Sequence, residues 1–437
     1  MARTRKIRRR YAQVGIGGRS TMYTNAIVDR FKDICELVAL CDTNQGRMDL
    51  RNREIEAQGG KSVATYRANQ FDQMVAECRP DVVVVTSMDS THSDYICRAM
   101  ELGCEVITEK PMTTDEVRCR RILETAKRTA RKCVVTFNYR YAPPRSQLKE
   151  LLLAGAIGEI YSVDFCWLLD TRHGADYFRR WHRRRENSGS LLVHKATHHF
   201  DLVNWWLDDV PEEVFCNASR RFYTPQTAER LGLSGRAERC LVCPRKDRCR
   251  FHLDLNAHEH TKALYVDNEH EDGYFRDRCV FSDQIDIWDN MSVTVRYKRG
   301  AILSYLLHSY SPYEGYKIAF NGSKGRLEHA ACERTYFSGD GTVPGELEKG
   351  NVSITLIPEF SMPQSIEVRT GKGGHGGGDP VLLADLFDPN APADPLKRKA
   401  CQRDGAYSIL IGVAAYHSID TGQAVSIPAL LGDAPMD

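Results

Sequence analysis

A chain of 437 residues is long enough for two domains or one large domain with insertions. Hydrophobic residues make up 42% and charged residues 27%, as in ordinary soluble globular proteins, and a formal net charge of +2 gives no general reason to bind nucleic acid or an anionic membrane. Apolar runs such as DVVVVTSM (81–88) and YSILIGVAAY (407–416) are too short to span a bilayer, and the basic start MARTRKIRRRYAQ lacks the apolar stretch and cleavage site of a secretory signal, so a frayed tail and a cytoplasmic location are expected.

From Tyr11 to about Asn138 strand-like and helix-like segments alternate. YAQVGI (11–16) is β-rich, TMYTNAIVDRFKD (21–33) has helical apolar spacing, and CELVALCD (35–42) is a second strand. GRMDLRNREIEAQGG (46–60) is a helix closed by glycine, DQMVAEC (72–78) a helical turn, DVVVVTS (81–87) a fully apolar strand and HSDYICRAMELG (92–103) a helix. EVITEKP (105–111) is another strand, the helix after it opens at Thr114 with acids in its first turn, and KCVVTFN (132–138) closes the series. Strands buried on both faces and alternating with helices predict an α/β fold with a doubly wound parallel sheet. Most of the fifteen cysteines stand singly in apolar or helical contexts (Cys35, Cys41, Cys97, Cys104, Cys133), which fits reduced thiols better than a disulfide scaffold.

In that setting the glycines after the first strand gain meaning. Gly15, Gly17 and Gly18 end a strand and open a helix, and a second strand ends at Asp42. Gly15 permits the turn, and Gly17 lets backbone N–H groups approach a pyrophosphate at a helix N-terminus. Asp42 is placed to accept ribose hydroxyls and to repel a 2′-phosphate, which favours NAD over NADP. Ser20 stands where the third glycine is usual, and Arg19 argues the other way, because a guanidinium here can pair with a 2′-phosphate.

Five stretches then fall in a recognisable order. DVVVVTSMDSTHSDYICRAMELGCEVITEKPM (81–112), FNYRYAP (137–143), GEIYSVDF (158–165), SGSLLVHKATHHFDLVNWWL (188–207) and NGSKGRLE (321–328) together resemble the Gfo/Idh/MocA family of sugar and cyclitol oxidoreductases over nearly the whole chain. The resemblance implies a Rossmann domain (1–138) and a C-terminal α+β domain (139–437) with an open, mostly antiparallel sheet. It implies that Lys110, in Glu-Lys-Pro, lies at the nicotinamide and substrate, that Ser87, His92 and Glu109 belong to the cofactor site, and that the protein forms a homodimer or homotetramer. A lysine at the carboxyl end of a sheet strand also sits where doubly wound folds bind ligands.

LLVHKATHHFD (191–201) crowds His194, Lys195, His198, His199 and Asp201 into one short helix, where residues four apart share a face. The family pattern is Asp-x-x-x-His with Asp three residues later. By that register His198 is the family's histidine, and His194 replaces its preceding aspartate. Two chemistries remain open: His198 as the general base, which the register favours, or His199 with Lys195 while His198 orients hydroxyls. Tyr139 and Arg140 at the domain junction are candidates to hold substrate or cofactor, Arg140 being equally suited to a structural ion pair. In GKGGHGGGDP (371–380), His375 is a candidate substrate contact and Asp379 falls near the start of a helix.

An insertion from about 223 to 281 carries Cys240, Cys243, Cys249 and Cys279. C-x2-C with two further cysteines fits a structural zinc site, with His252, His258 and His260 as substitutes for the fourth ligand; the alternative is a metal-free loop. The expected function is hydride transfer between NAD and a hydroxyl-bearing carbon of a sugar, sugar derivative or inositol, with Lys110 and His198 handling the proton. The alternatives are an NAD-dependent glycosidase or lyase working through transient C3 oxidation with no net NADH, and a non-catalytic NAD-binding protein.

Overall fold

The computed structural model describes residues 8–332 and 351–436; most of the expected basic tail, residues 1–7, lies outside them. Six parallel strands alternate with helices: β1 (Arg9–Val14), β2 (Cys35–Asp42), β4 (Val82–Val85), β5 (Glu105–Thr108) and β6 (Cys133–Val135) fall where strands are expected, and β3 (Ala64–Arg67) is an addition that the sequence pattern does not show. Their spatial order is β6-β5-β4-β1-β2-β3. The winding direction therefore reverses between β1 and β4, and the crevice beyond their carboxyl ends is the ligand position of such sheets. Val82 to Val85 are all fully buried, which is why β4 reads as an unbroken apolar run rather than an alternation.

Two local expectations shift. The helix expected over 21–33 is a short α-helix, Thr21–Asn25, that continues as a π-helical segment, Ala26–Arg30. The helix expected to open at Thr114 runs Glu116–Thr129, and its cap is Asp115, whose Oδ1 accepts from Arg118 N at 2.9 Å. A carboxylate at the N-cap answers both a free N–H and the helix dipole.

A second sheet of nine strands contains β7 (Ile160–Asp170), β8 (Pro211–Ser219), β9 (Asn290–Tyr297), β10 (Ile302–Ser311), β11 (Gly315–Gly322), β12 (Gly325–Cys332), β13 (Val352–Pro358), β14 (Gln364–Ile366) and β16 (Val425–Ser426). Among the described residues its pairings are antiparallel except β7 with β10. Burial alternates along β9 and β10, so one face is packed and the other open. Helices Thr197–Leu207 and Gln402–Thr421 cover the packed face, where Trp206 packs on Phe165 of β7 and Phe200 on Tyr305 of β10. Before the second helix, β15 (Ala400–Cys401) returns to the first sheet and pairs antiparallel with β6.

Gly15 marks where β1 and β4 almost touch. Its φ is +83°, and a Cβ there would lie 2.4 Å from Ser87 Cα. Neither the torsion nor the space admits a side chain. Gly15→Ala is expected to destabilise the protein by about 1–3 kcal/mol through overpacking alone, visible as a lowered Tm in thermal unfolding by circular dichroism.

Candidate active site

The glycine turn is braced by its own serine. Buried Ser20 donates from Oγ to the Gly17 carbonyl at 2.6 Å and accepts Gln13 Nε2 on its own carbonyl at 2.9 Å, so the residue in place of the third glycine ties the loop together. Asp42 fastens the loop to the end of β2: Oδ2 accepts Ile16 N and Oδ1 accepts Asn44 N at 2.9 Å. Arg19 does not face outward toward the β2 edge. Its Nε donates to Glu109 at 2.6 Å and its NH1 lies 3.8 Å from Asp379. Ser87 shares a hydroxyl contact with Thr91 at 2.8 Å, and His92 bridges the carbonyls of Pro111 (2.8 Å) and Ser87 (3.1 Å), locking the β4 and β5 turns together. The donor set fits a dinucleotide: glycine backbone at a helix start, where the Gly18 N–H donates to the Tyr265 hydroxyl at 3.0 Å, with a carboxylate at the end of the next strand.

Lys110 lies beyond β5, with a cis peptide to Pro111. Its Nζ is 3.4 Å from the His194 carbonyl. Burial pushes the Lys110 ammonium down to about 8, against the pull of Glu109 and Asp89. Asp89, in the turn after β4, is a residue that sequence reading missed. Its Oδ2 lies 2.5 Å from His194 Nδ1, which supplies a carboxylate beside the histidine that replaces the family's aspartate. Burial drives both groups toward their neutral forms, Asp89 well above and His194 well below the ordinary values. One proton is thus shared along this contact. His182, also missed, packs edge-on against His194 at 4.2 Å between ring centres. It comes from the helix Thr171–Arg179 and the turn that follows, a segment rich in arginine and aromatics but without a recognised motif.

The expected single helix over 191–201 is two: Leu191–His194 and Thr197–Leu207. The break at Lys195 and Ala196 removes the shared faces that a continuous helix would impose. His194 turns to Asp89, whereas His198 stacks on Tyr139 with ring centres 4.0 Å apart. Lys195 Nζ donates to the Tyr139 hydroxyl at 3.0 Å. His199 stacks on Trp167 at 4.0 Å, and its Nδ1 meets the Tyr305 hydroxyl at 2.6 Å. Nδ1 of His198 and Nε2 of His199 are buried without a hydrogen-bond partner among the described residues. Burial, with Lys110 and Lys195 nearby, holds both imidazoles well below their ordinary range, so they are neutral at pH 7.

Arg140 belongs to the framework. Its Nε and NH2 form a forked pair with Asp201 at 2.8 and 2.5 Å, with Asp404 at 3.2 Å and the Lys397 carbonyl at 3.4 Å also in reach. Of the two roles open in the sequence, the geometry provides the ion pair. His375 lies in the left-handed region (φ 54°), and its Nδ1 is 2.9 Å from Asp379 Oδ2. Asp379 also accepts from Asn138 Nδ2 at 2.7 Å. The His375 ring sits 5.7 Å from Tyr139, within the same cluster.

The insertion has two parts. Cys240, Cys243, Cys249, Cys279 and His252 line one cavity, and a β-bridge between Arg239 and Arg278 sets Cys240 beside Cys279. The four sulfurs are not drawn together. Among the described residues, ligand atoms within 4.8 Å of one another occur at Asp170, His173 and Glu314, whose carboxylates already accept backbone N–H groups. His260 is turned to Glu54 (2.9 Å), and His258 is exposed away from this cavity. The second part, 259–273, reaches back to the glycine turn, which nothing in the sequence foretold.

The family described as "Oxidoreductase family, NAD-binding Rossmann fold" matches residues 9–137, and "Oxidoreductase family, C-terminal alpha/beta domain" matches 149–427. Putative oxidoreductase YteT of Bacillus subtilis is 36% identical over 95% of this chain and 97% of its own. An inositol 2-dehydrogenase/D-chiro-inositol 3-dehydrogenase of Lactiplantibacillus plantarum is 24% identical over 45% of this chain and 51% of its own, and a glycosyl hydrolase family 109 protein of Shewanella baltica 24% over 95% and 83%. Among solved structures, an Agrobacterium radiobacter oxidoreductase in complex with NAD+, L-tartaric acid and magnesium shares the fold at a TM-score of 0.63, with 15% identity over 97% of this chain and all of that one.

Because the Arg140–Asp201 pair is fully enclosed, removing one partner strands the other charge. Asp201→Ala is expected to cost about 3–5 kcal/mol of stability, read from the midpoint of urea unfolding.

Proposed function

The chain belongs to the Gfo/Idh/MocA oxidoreductase family, and on that premise we propose that it oxidises or forms a hydroxyl-bearing carbon of a sugar, sugar derivative or inositol with NAD. The observation that carries this reading is the pair of buried imidazole nitrogens on His198 and His199 that have no partner among the described residues, set on the Tyr139 and Trp167 rings beside Lys195. A buried polar group left unsatisfied costs about 1–3 kcal/mol. A polyol supplies hydroxyls that can answer several such groups at once.

Bound NAD would supply the hydride acceptor. Gly15, Gly17, Gly18 and Ser20 would hold its phosphates, with Asp42 toward the adenosine ribose and Ser87, His92 and Glu109 on the nicotinamide side. Lys110, already shifted to about 8, takes the hydroxyl proton when neutral. His198, neutral and short of one partner, accepts or relays that proton, and the Asp89–His194 pair beside Lys110 holds its environment in one charge state. Tyr139, Lys195, His199 and His375 bind the remaining hydroxyls.

A second reading is redox-assisted glycoside cleavage with no net NADH. It is favoured by the family 109 relative, which aligns with 95% of the chain. Absorbance at 340 nm with NAD and a panel of free sugars, inositols and aryl glycosides separates the two. NADH formation from a free polyol supports the first, and aglycone release without NADH supports the second. In the oxidative direction kcat/KM is expected to rise with pH through about 8 as Lys110 loses its proton. Lys110→Met should lower kcat by about 10²–10⁴-fold and flatten that limb.

We further propose that Cys240, Cys243, Cys249 and Cys279 hold a structural zinc, because all four line one cavity. Four thiolates at about 2.3 Å would draw the sulfurs together. Purified protein should carry about one zinc per chain by mass spectrometry, and Cys240→Ser with Cys243→Ser should release it and lower Tm; metal-free protein with an unchanged Tm would leave a plain loop. All fifteen cysteines are unpaired, which suits a reducing cytoplasm. The open face of the nine-stranded sheet is the surface on which we expect the chain to pair with its copies.

A further inference from the structure

The part of the insertion between Glu259 and Gly273 lies against the edge of the first sheet where the adenosine end of a dinucleotide belongs. Tyr265 Oη accepts Gly18 N at 3.0 Å. The Leu264 carbonyl accepts Arg47 Nε at 3.2 Å, and Asp272 pairs with the Arg47 guanidinium at 2.6 Å. The Asn268 carbonyl accepts Asn44 Nδ2 at 2.8 Å, and a Cβ on Gly46 would fall 1.8 Å from Asn268 Oδ1. At the centre of this contact is Glu271. One carboxylate oxygen accepts Gln45 N and the other Gly46 N, both at 2.8 Å, and Arg67 NH1 donates to it at 2.9 Å. Arg67 also donates to the Thr43 carbonyl at 2.6 Å.

Without Glu271, this place would be a phosphate site. It offers two free N–H groups at the start of the helix Gln45–Ala57, a guanidinium beside them, and a position three residues past Asp42. With Glu271 present, those donors are taken and the local charge is negative. Burial alone would raise the Glu271 pKa, but the Gln45 and Gly46 N–H groups and Arg67 hold it below the ordinary carboxylate value, so it is ionised at pH 7. We infer that Glu271, contributed by the insertion, is a specificity-determining residue that excludes the 2′-phosphate of NADP from the nucleotide site. The inference rests on the reading that a dinucleotide binds at the glycine turn. Asp42 alone repels a 2′-phosphate from the ribose side, whereas Glu271 occupies the donors that would otherwise bind it.

The test is direct binding, by titration calorimetry, of NAD+ and of NADP+ to the full-length protein and to Glu271→Ala and Glu271→Gln. Glu271→Gln keeps an oxygen for a backbone N–H, so it guards against simple loss of folding, checked by circular dichroism. The expected result is an NADP+ Kd at least tenfold lower in Glu271→Ala, with NAD+ affinity changed less than threefold and a smaller gain in Glu271→Gln. Adding Arg67→Ala to Glu271→Ala should abolish the gain. Unchanged NADP+ affinity in both variants, beside normal NAD+ binding by the unaltered protein, overturns the inference alone. Failure of the unaltered protein to bind NAD+ overturns the dinucleotide reading and this inference with it.

Discussion

One buried carboxylate joins the parts of the site. Glu109, at the end of β5, receives Arg19 from the glycine turn and the Tyr23 hydroxyl at 2.7 Å from the helix behind it. Arg19 reaches on to Asp379, and Asp379 holds His375 and Asn138. Three segments distant in sequence are therefore linked by one relay of charges, Glu109 to Arg19 to Asp379. Burial alone would push Glu109 up, but Arg19, Lys110 and Tyr23 together hold it below the ordinary carboxylate value. Lys110 gains from this arrangement as the next residue in the chain, because a fixed Glu109 fixes the turn that carries it.

The surroundings of Lys110 explain why the site has so little net charge. Four histidines (His182, His194, His198 and His199) are buried near it, and each is held neutral chiefly by burial. Adding a further cation to a low-dielectric region that already holds Lys110 and Lys195 would be costly, so the imidazoles stay neutral while Lys110 is poised near physiological pH. The aromatic stack of Tyr139, Trp167 and Tyr316, with Arg145 over Tyr139 at 4.1 Å, forms the surface on which the His198 and His199 rings lie.

Much of the fold was legible because it is written in local patterns. The apolar run of Val82–Val85, the glycines after β1, and the alternation of strand and helix follow from periodicity and turn chemistry. The order of motifs extended this to Lys110 and to the histidine pair. What stayed hidden depends on contacts that no local pattern encodes. The break at Lys195 and Ala196 has no local signature, and it lets His194 and His198 face different partners. Asp89 reads as an ordinary turn residue until the fold brings it to His194. Arg140 could be assigned only when Asp201, 61 residues away, was seen beside it. The insertion reads as a cysteine-bearing loop, and only the structure places Tyr265 and Glu271 against residues 18 and 45–46.

The short return of β15 to the first sheet ties the two halves of the chain into one topology. Ala400 and Cys401 pair with Val135 and Val134 of β6, which would otherwise be the bare edge of the parallel sheet. A Rossmann half cut free at residue 138 would lose that neighbour and expose unpaired N–H and C=O groups flanked by apolar valines. Such an edge is a template for wrong pairing between chains. The first third of the chain thus takes the neighbour that closes one edge of its sheet from residues 400–401, close to the other end of the chain.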